Sequence, residues 1–265
     1  MSKTILITGA TDGIGLETAR NLVAQGYYVL LHGRSADKLQ KVETELSATG
    51  NVETYLADLS DLAAVKSLAQ EIKEKHSSLD VLINNAGVLK SPNTVTVDGL
   101  DIRFAVNTVA PYLLTQELLP VLGPDSRVIN LSSAAQGSVD LDALRGKRTG
   151  LDDMDAYAQS KLAITMWSIQ MAEEVKDNGP VVIPVNPGSL LASKMVKEGF
   201  GVAGHDLSVG ADILTALATE AEFADKSGHY FDNDKGKFSH PHSDALNDEI
   251  RKNVVDTVKT LASLS

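Results

Sequence analysis

The sequence predicts an α/β fold: a doubly wound parallel sheet with helices on both faces, built as a single domain. Three observations point to it. Short apolar runs rich in β-branched residues alternate with longer segments of helical spacing. The runs are continuous rather than alternating, as strands buried on both faces of a parallel sheet must be. A glycine-rich stretch, TGATDGIG at 8–15, joins the first run to the first helical segment.

The first strand is TILIT at 4–8, followed by helical spacing over 15–25. The alternation continues with YYVLL at 27–31 and a helix over 36–46, VETYL at 52–56 and a helix over 62–75, then DVLIN at 80–84 and a helix over 100–119. RVINL at 127–131, a helix over 156–175 and VVIPV at 181–185 complete it. Each apolar run is too short for a helix and continuous enough for a buried strand. Two stretches break the rhythm. A polar segment over 134–155 contains RGKRTG, and SLLASKMVKEGFGVAGHD at 189–206 sets three glycines among apolar side chains. Long loops at the carboxyl ends of parallel strands are where such sheets carry ligands. The expected organisation is a cofactor-binding and catalytic core over 1–188, a substrate lid over 189–206, and a substrate or oligomer region over 207–265.

Composition narrows the classes of function. A chain of 265 residues and 28.2 kDa can bury an extensive core. The absence of cysteine removes disulfides, thiolate catalysis and cysteine-ligated metals together. A net charge of −11 opposes approach to a nucleic-acid backbone or an anionic membrane, so neither is an expected partner. No segment reaches the roughly 18 apolar residues of a membrane span, and MSKTILITG enters the first strand without a leader pattern. The cytoplasm is the expected compartment.

In a strand–turn–helix unit, glycine lets the chain turn tightly and leaves no Cβ between backbone and ligand. A pyrophosphate then sits at the helix N-terminus, held by unpaired N–H groups and the helix dipole. On this reading Gly9 makes the turn, Gly13 permits close approach and Gly15 lets helix and strand pack; the alternative is an ordinary glycine-rich turn.

The spacing is TGxxxGxG, and further motifs follow in order: ADLSD at 57–61, NNAG at 84–87, Asn107 in FAVNT, VINLSS at 128–133, YAQSK at 157–161 and NPG at 186–188. With these the chain resembles the short-chain dehydrogenase/reductase superfamily, in particular its carbonyl-reductase and retinol-dehydrogenase-like members, from Lys3 to about Gly188. The resemblance implies a Rossmann fold and an NAD(P)-dependent oxidoreductase acting on CH–OH and C=O groups. It also implies cofactor contacts from Gly9, Thr11, Asp12, Gly13, Ile14, Gly15, Asn85, Ala86, Gly87, Tyr157, Lys161, Pro187, Gly188 and Leu190. Asp58 resembles the family's adenine-contacting aspartate, with Leu59 beside the ring; otherwise it is an N-cap or turn residue before the helix at Leu62.

At the end of the second strand, LLHGRS places Gly33 and Arg34 where an NAD-specific protein would place an acidic residue on the ribose. The planar, permanently charged guanidinium suits a 2′-phosphate, so NADP(H) is expected ahead of NAD(H). A solvated surface arginine is the alternative. Asp12 is the departure, because many NADP-using relatives are basic there; it could instead cap the helix.

Tyr157 and Lys161 are four apart and share one helix face. An ammonium one turn on is expected to lower the phenol's pKa and ready Tyr157 as a general acid and base. Taken alone, such a pair is usually a helix-surface coincidence. The resemblance makes Ser133 the substrate-orienting serine rather than Ser132, since alternation turns only one of them to the pocket. It makes Asn107 the residue that holds a water in the proton relay, against the alternative of a buried asparagine satisfied by backbone.

Ser133 and Tyr157 are 24 positions apart, and LDALRGKRTGLDDMDAY resembles an insertion near the pocket mouth and near a helix face many relatives use for dimerisation. A dimer or tetramer is therefore compatible with the family, as is a monomer. In the lid, Leu190, Leu191, Met195, Val196 and Phe200 suggest a small, hydrophobic ketone, aldehyde or secondary alcohol as substrate, or else a surface helix packed on the core. Ser193 stands near the family's carboxamide-binding threonine. His229, Asp232, Asp234, His240 and His242 gather near the C-terminus, but their spacing matches no metal motif and the family needs no catalytic metal. Trp167 and Met171 read as packing or interface residues. An NADP(H)-responsive regulator without catalysis and a nucleotide-sugar epimerase or dehydratase are the competing functional classes.

Overall fold

The computed structural model describes residues 2–191 and 204–264. The strands β1 (Thr4–Ile7), β2 (Tyr28–Gly33), β3 (Val52–Leu56), β4 (Val81–Asn84), β5 (Arg127–Leu131), β6 (Val181–Asn186), β7 (Phe231–Asp232) and β8 (Lys237–Phe238) form one sheet in the order β3-β2-β1-β4-β5-β6-β7-β8. All neighbours run parallel except β7 and β8. The order reverses between β1 and β4, and that crevice is where ligands bind in doubly wound sheets.

The helices are α1 (Gly13–Ala24), α2 (Ala36–Leu46), α3 (Leu62–Lys75), α4 (Ile102–Phe104), α5 (Ala110–Leu118), α6 (Leu141–Leu144), α7 (Asp153–Val175), α8 (Ser208–Thr219) and α9 (Asp248–Ser263). Successive strand residues face opposite sides, so the sheet separates two cores. Ile5 and Ile7 of β1 pack with residues of α1, α2 and α8; Leu6, between them, packs with α3, α5, α7 and α9. Side-chain caps start most helices: Asp12 for α1, Ser35 for α2, Asp61 for α3 and Asp152 for α7.

The structure departs from expectation in three places. The helix expected over 100–119 is interrupted by a π-helical turn at Ala105–Val109 between α4 and α5. Pro111 contributes, because it has no N–H to close the α-helical bond to Asn107. The segment over 134–155 contains the short helix α6. Beyond residue 207 lie α8, the β7–β8 hairpin and α9, whose Val254, Val255, Val258 and Ala262 are buried in the core shared with α5 and α7. No described helix is long and apolar enough to cross a membrane.

Candidate active site

The site begins with the β1–α1 turn. Gly9 and Gly13 have φ of +67° and +55°, which L side chains adopt only under strain. A Cβ on Gly15 would strike the Gly9 carbonyl and the Asn85 amide, so Gly15 is where helix and turn touch. Gly13 has a conformational role: it starts α1 in the left-handed region, donating its N–H to the Asp12 carboxylate (2.9 Å).

The end of β4 locks this turn. Asn85 Nδ2 donates to the carbonyls of Thr8 (2.8 Å) and Gly9 (3.1 Å), while Thr8 Oγ1 accepts from the backbone N–H groups of Asn85 and Ala86 (3.0 Å each). Asn84 donates to Thr115 and Asn130, and Asn130 to Ser168, linking β4, β5, α5 and α7 through the core. His32, unremarked in the sequence, completes the lock: its buried Nδ1 accepts from Gly9 N–H (3.2 Å) and Nε2 faces the Ala57 carbonyl (3.1 Å). Those partners fix the neutral imidazole with its proton on Nε2. Burial pushes its pKa down to about 4.

A cavity of ≈ 630 Å³ runs along the carboxyl edge of the sheet, past the N-terminus of α1. Among the described residues, every expected catalytic or cofactor-contacting residue lines it except Gly15 and Asn107. At the β2–β3 end are Arg34, Lys38, Asp12, Asp58 and Leu59. Arg34 is exposed and has no hydrogen bond or ion pair among the described residues. Asp12 caps α1 and also pairs with Lys38 Nζ at 3.1 Å, so its charge is opposed by a cation. Sequence reading missed Lys38; the signal was its place in the first turn of α2, from which a long side chain leans back toward the helix start and Arg34. Asp58 accepts from Ser60 N–H and Oγ in a turn, and the cap of α3 falls to Asp61.

At the other end Ser133, Tyr157 and Lys161 converge. Ser132 turns its hydroxyl into α7, donating to the Lys161 carbonyl (3.0 Å) and sharing a bond with Thr165. Ser133 lines the cavity, its hydroxyl accepting from Ala135 N–H (3.1 Å). The expected lowering of the Tyr157 pKa by Lys161 is not what this arrangement gives. Burial raises the phenol's pKa, the nearby Ser133 side chain opposes the rise, and Lys161 Nζ is committed to the Leu131 carbonyl at 2.7 Å, 5.6 Å from the ring centroid. Burial lowers the lysine itself to about 8.

Asn107 sits in the π-turn. Its Oδ1 accepts from Val88 N–H (2.8 Å), and its Nδ2 donates to the Val88 carbonyl (2.9 Å) and Ser160 Oγ (3.0 Å). Its side chain therefore ties the exit of β4 to α7, and its backbone carbonyl lacks the N–H that residue 111 would ordinarily supply.

The turn after β6 is gripped by the hairpin 232–236. Asn186 Nδ2 donates to Asp232 (3.0 Å) and Asp234 (2.9 Å), and Asp234 accepts from Ser189 N–H (2.8 Å) and Oγ (2.5 Å). These carboxylates, weighed as metal ligands in the sequence, serve as hydrogen-bond acceptors, and no group of three or more metal-binding side chains gathers among the described residues. Leu190, at φ +52°, and Leu191 end the described lining; Leu191 bridges to His205. Ser193, Met195, Val196 and Phe200 lie outside the described residues. Trp167 and Met171 are buried within the chain.

Comparison with known proteins agrees with this geometry. The short chain dehydrogenase family model matches residues 3–200. Human retinol dehydrogenase 13 is 32% identical over 263 residues, covering 91% of this chain and 80% of its own. Human polyprenol dehydrogenase is 30% identical over 255 residues, covering 87% and 76%. A metagenomic short-chain oxidoreductase solved in complex with NADP superposes with a TM-score of 0.63 at 31% identity, covering 84% of this chain and 93% of that one.

Proposed function

The chain belongs to the short-chain dehydrogenase family and is an NAD(P)-dependent oxidoreductase acting on CH–OH groups, and from that premise we propose that it interconverts a hydrophobic ketone or aldehyde with its alcohol, using NADP(H) ahead of NAD(H) and Tyr157 as general acid and base. The observation that carries the reading is that Ser133, Tyr157 and, one turn on, Lys161 line the same cavity as the glycine turn, Arg34 and Lys38.

The wall fits a nicotinamide dinucleotide. The start of α1, where Gly13 and Ile14 line the cavity, offers a helix N-terminus to a pyrophosphate. Arg34 and Lys38 would hold a 2′-phosphate, and the exposed Lys38–Asp12 pair is weak enough to yield its lysine to a dianion. The cofactor supplies the hydride. The chain's residues orient the carbonyl and move the proton.

Burial keeps the Tyr157 phenol protonated at neutral pH, the form that donates to a carbonyl oxygen while Ser133 donates alongside it. Lys161, one turn on, is positioned to supply positive charge and return a proton to the phenolate as it forms. Asn107 fixes Val88 and α7, the helix that carries Tyr157 and Lys161.

The test is oxidation of NADPH by purified protein with a panel of apolar ketones and aldehydes, with Tyr157→Phe alongside. Turnover is expected to fall by about 10²–10⁴-fold in the variant, the range for loss of a general acid. Near-normal turnover in a folded Tyr157→Phe protein would overturn the assignment.

A further inference from the structure

The charged residues of the cavity wall divide by end. Asp12, Arg34, Lys38 and Asp58 stand on the β2–β3 side, with the adenosine half of the proposed cofactor site. On the β4–β6 side the described lining contains no carboxylate, and besides Lys161 its one cation is Lys90. This is a positive end in a chain whose net charge is −11.

Lys90 is presented from an anchored segment. Val88, two residues before it, is fixed at both N–H and carbonyl by Asn107, and Leu89 is buried. The exposed Lys90 side chain makes no hydrogen bond or ion pair with any described residue. The same cavity is lined by the apolar side chains of Val88, Leu89, Ile102, Val106, Leu190 and Leu191. A lysine beside such a wall lays its methylene stem along the apolar surface and holds its ammonium at the rim. Among the described residues none takes up that charge.

We propose that Lys90 is a specificity-determining residue and that the substrate is an apolar carbonyl or alcohol compound bearing a carboxylate at the end remote from the reacting carbon. The inference rests on the oxidoreductase reading above and names its substrate class. The apolar body fills the stretch between Tyr157 and the rim, and the carboxylate meets the Lys90 ammonium there. Because the pair forms at a solvated rim, it is modest and screened by salt.

The experiment compares medium-chain ω-oxo fatty acids with their methyl esters, reading kcat/KM with NADPH at low and high salt (about 0.05 and 0.5 M). Wild type, Lys90→Met, Lys90→Arg and Lys90→Glu are assayed together. At low salt wild type is expected to favour acid over ester by about three- to tenfold, the preference shrinking at high salt. Lys90→Met is expected to bring the ratio near one, Lys90→Glu to invert it and Lys90→Arg to keep it. A wild-type ratio of one or less, or a ratio unchanged in Lys90→Met, overturns the proposal. So does a loss of NADPH affinity in Lys90→Met that matches its loss of kcat/KM, because the lysine would then serve the cofactor. Should neither compound be turned over, the reaction assigned above is what fails. Calorimetric titration of the same acids and esters into protein saturated with NADP then decides Lys90: acid-selective binding lost in Lys90→Met supports the proposal, and binding indifferent to acid, ester or Lys90 overturns it.

Discussion

Arg34 and His32 are neighbours on one strand end with opposite relations to charge. Arg34 holds a permanent charge in solvent beside Lys38, and a charge-assisted bond to phosphate contributes about 1.5–3 kcal/mol. Arg34→Ala is therefore expected to lower affinity for NADP(H) by about tenfold or more while changing NAD(H) little; titration of both cofactors measures the ratio, and equal affinities unaffected by the change would refute the preference. His32 is buried neutral. An unfolded histidine takes up a proton near pH 6.5, whereas the native one resists until about 4 because burial disfavours its charge. Between those values the unfolded chain binds more protons, so stability is full above pH 6.5 and drains as pH falls toward 4, by about 3 kcal/mol in all. Urea unfolding at a series of pH values should show that acid limb in wild type. In His32→Gln, whose amide can accept from Gly9 and donate to Ala57, the limb should be flatter; an identical limb would mean that other groups cause it.

Between the helices that carry Asn107 and Tyr157 runs a buried brace. Arg103 of α4 donates to Asp101 through Nε (2.8 Å) and Nη2 (2.6 Å), and through Nη1 to Asp153 in the first turn of α7. Removing one partner of a buried pair strands the other's charge, at a cost of about 3–5 kcal/mol. Arg103→Met is expected to show that loss in chemical denaturation, because Asp101 stays buried, and Asp153→Asn a smaller one, because Asp153 is partly exposed. Equal, small effects would remove the brace from the account. None of this was legible in the sequence, since Asp101, Arg103 and Asp153 meet only after two loops have folded. What the sequence did carry were the strands, because a doubly buried strand reads as a short apolar run such as ILI at 5–7 or VLI at 81–83, and helix starts such as Leu62, because a carboxylate or hydroxyl marks them. The break in the helix over 100–119 was hidden, since its apolar residues continue without interruption and the local effect of Pro111 leaves no trace in their pattern. The strands β7 and β8, of two residues each, are too short for any period, and the acceptor role of Asp232 and Asp234 was not legible because it depends on Asn186, some 46 positions away. Lys38 and His32 were overlooked for the same reason: each acts on a residue of the β1–α1 turn.

Seen as a whole, the molecule covers the α5 and α7 faces with its own α9. Trp167, which the sequence offered as a packing or an interface residue, is fully buried there, edge-on to Tyr112 with ring centroids 5.6 Å apart, and Met171 lies in the same core. Arg251 ties α9 down by reaching Glu173 of α7 (3.4 Å) and the Ala245 carbonyl (3.1 Å). A face already filled by a helix of the same chain is closed to an equivalent face of a second copy. Light scattering on the eluting protein is expected to give a mass near the 28.2 kDa of one chain; a stable dimer would place the contact on another surface.

The sheet that separates the two cores also separates two histories of change. One core seats α1 and α2, which begin at the glycine turn and at Arg34; the other seats α5, α7 and α9, which carry or surround Tyr157. Substitutions that share no partner and stand well apart act additively. A lineage could therefore remodel the packing under its catalytic helix without disturbing the packing under its dinucleotide turn, and could switch coenzyme without renegotiating substrate. Only the residues that cross the sheet's carboxyl edge, Thr8 with Asn85 and Gly9 with His32, would have to be inherited as a set.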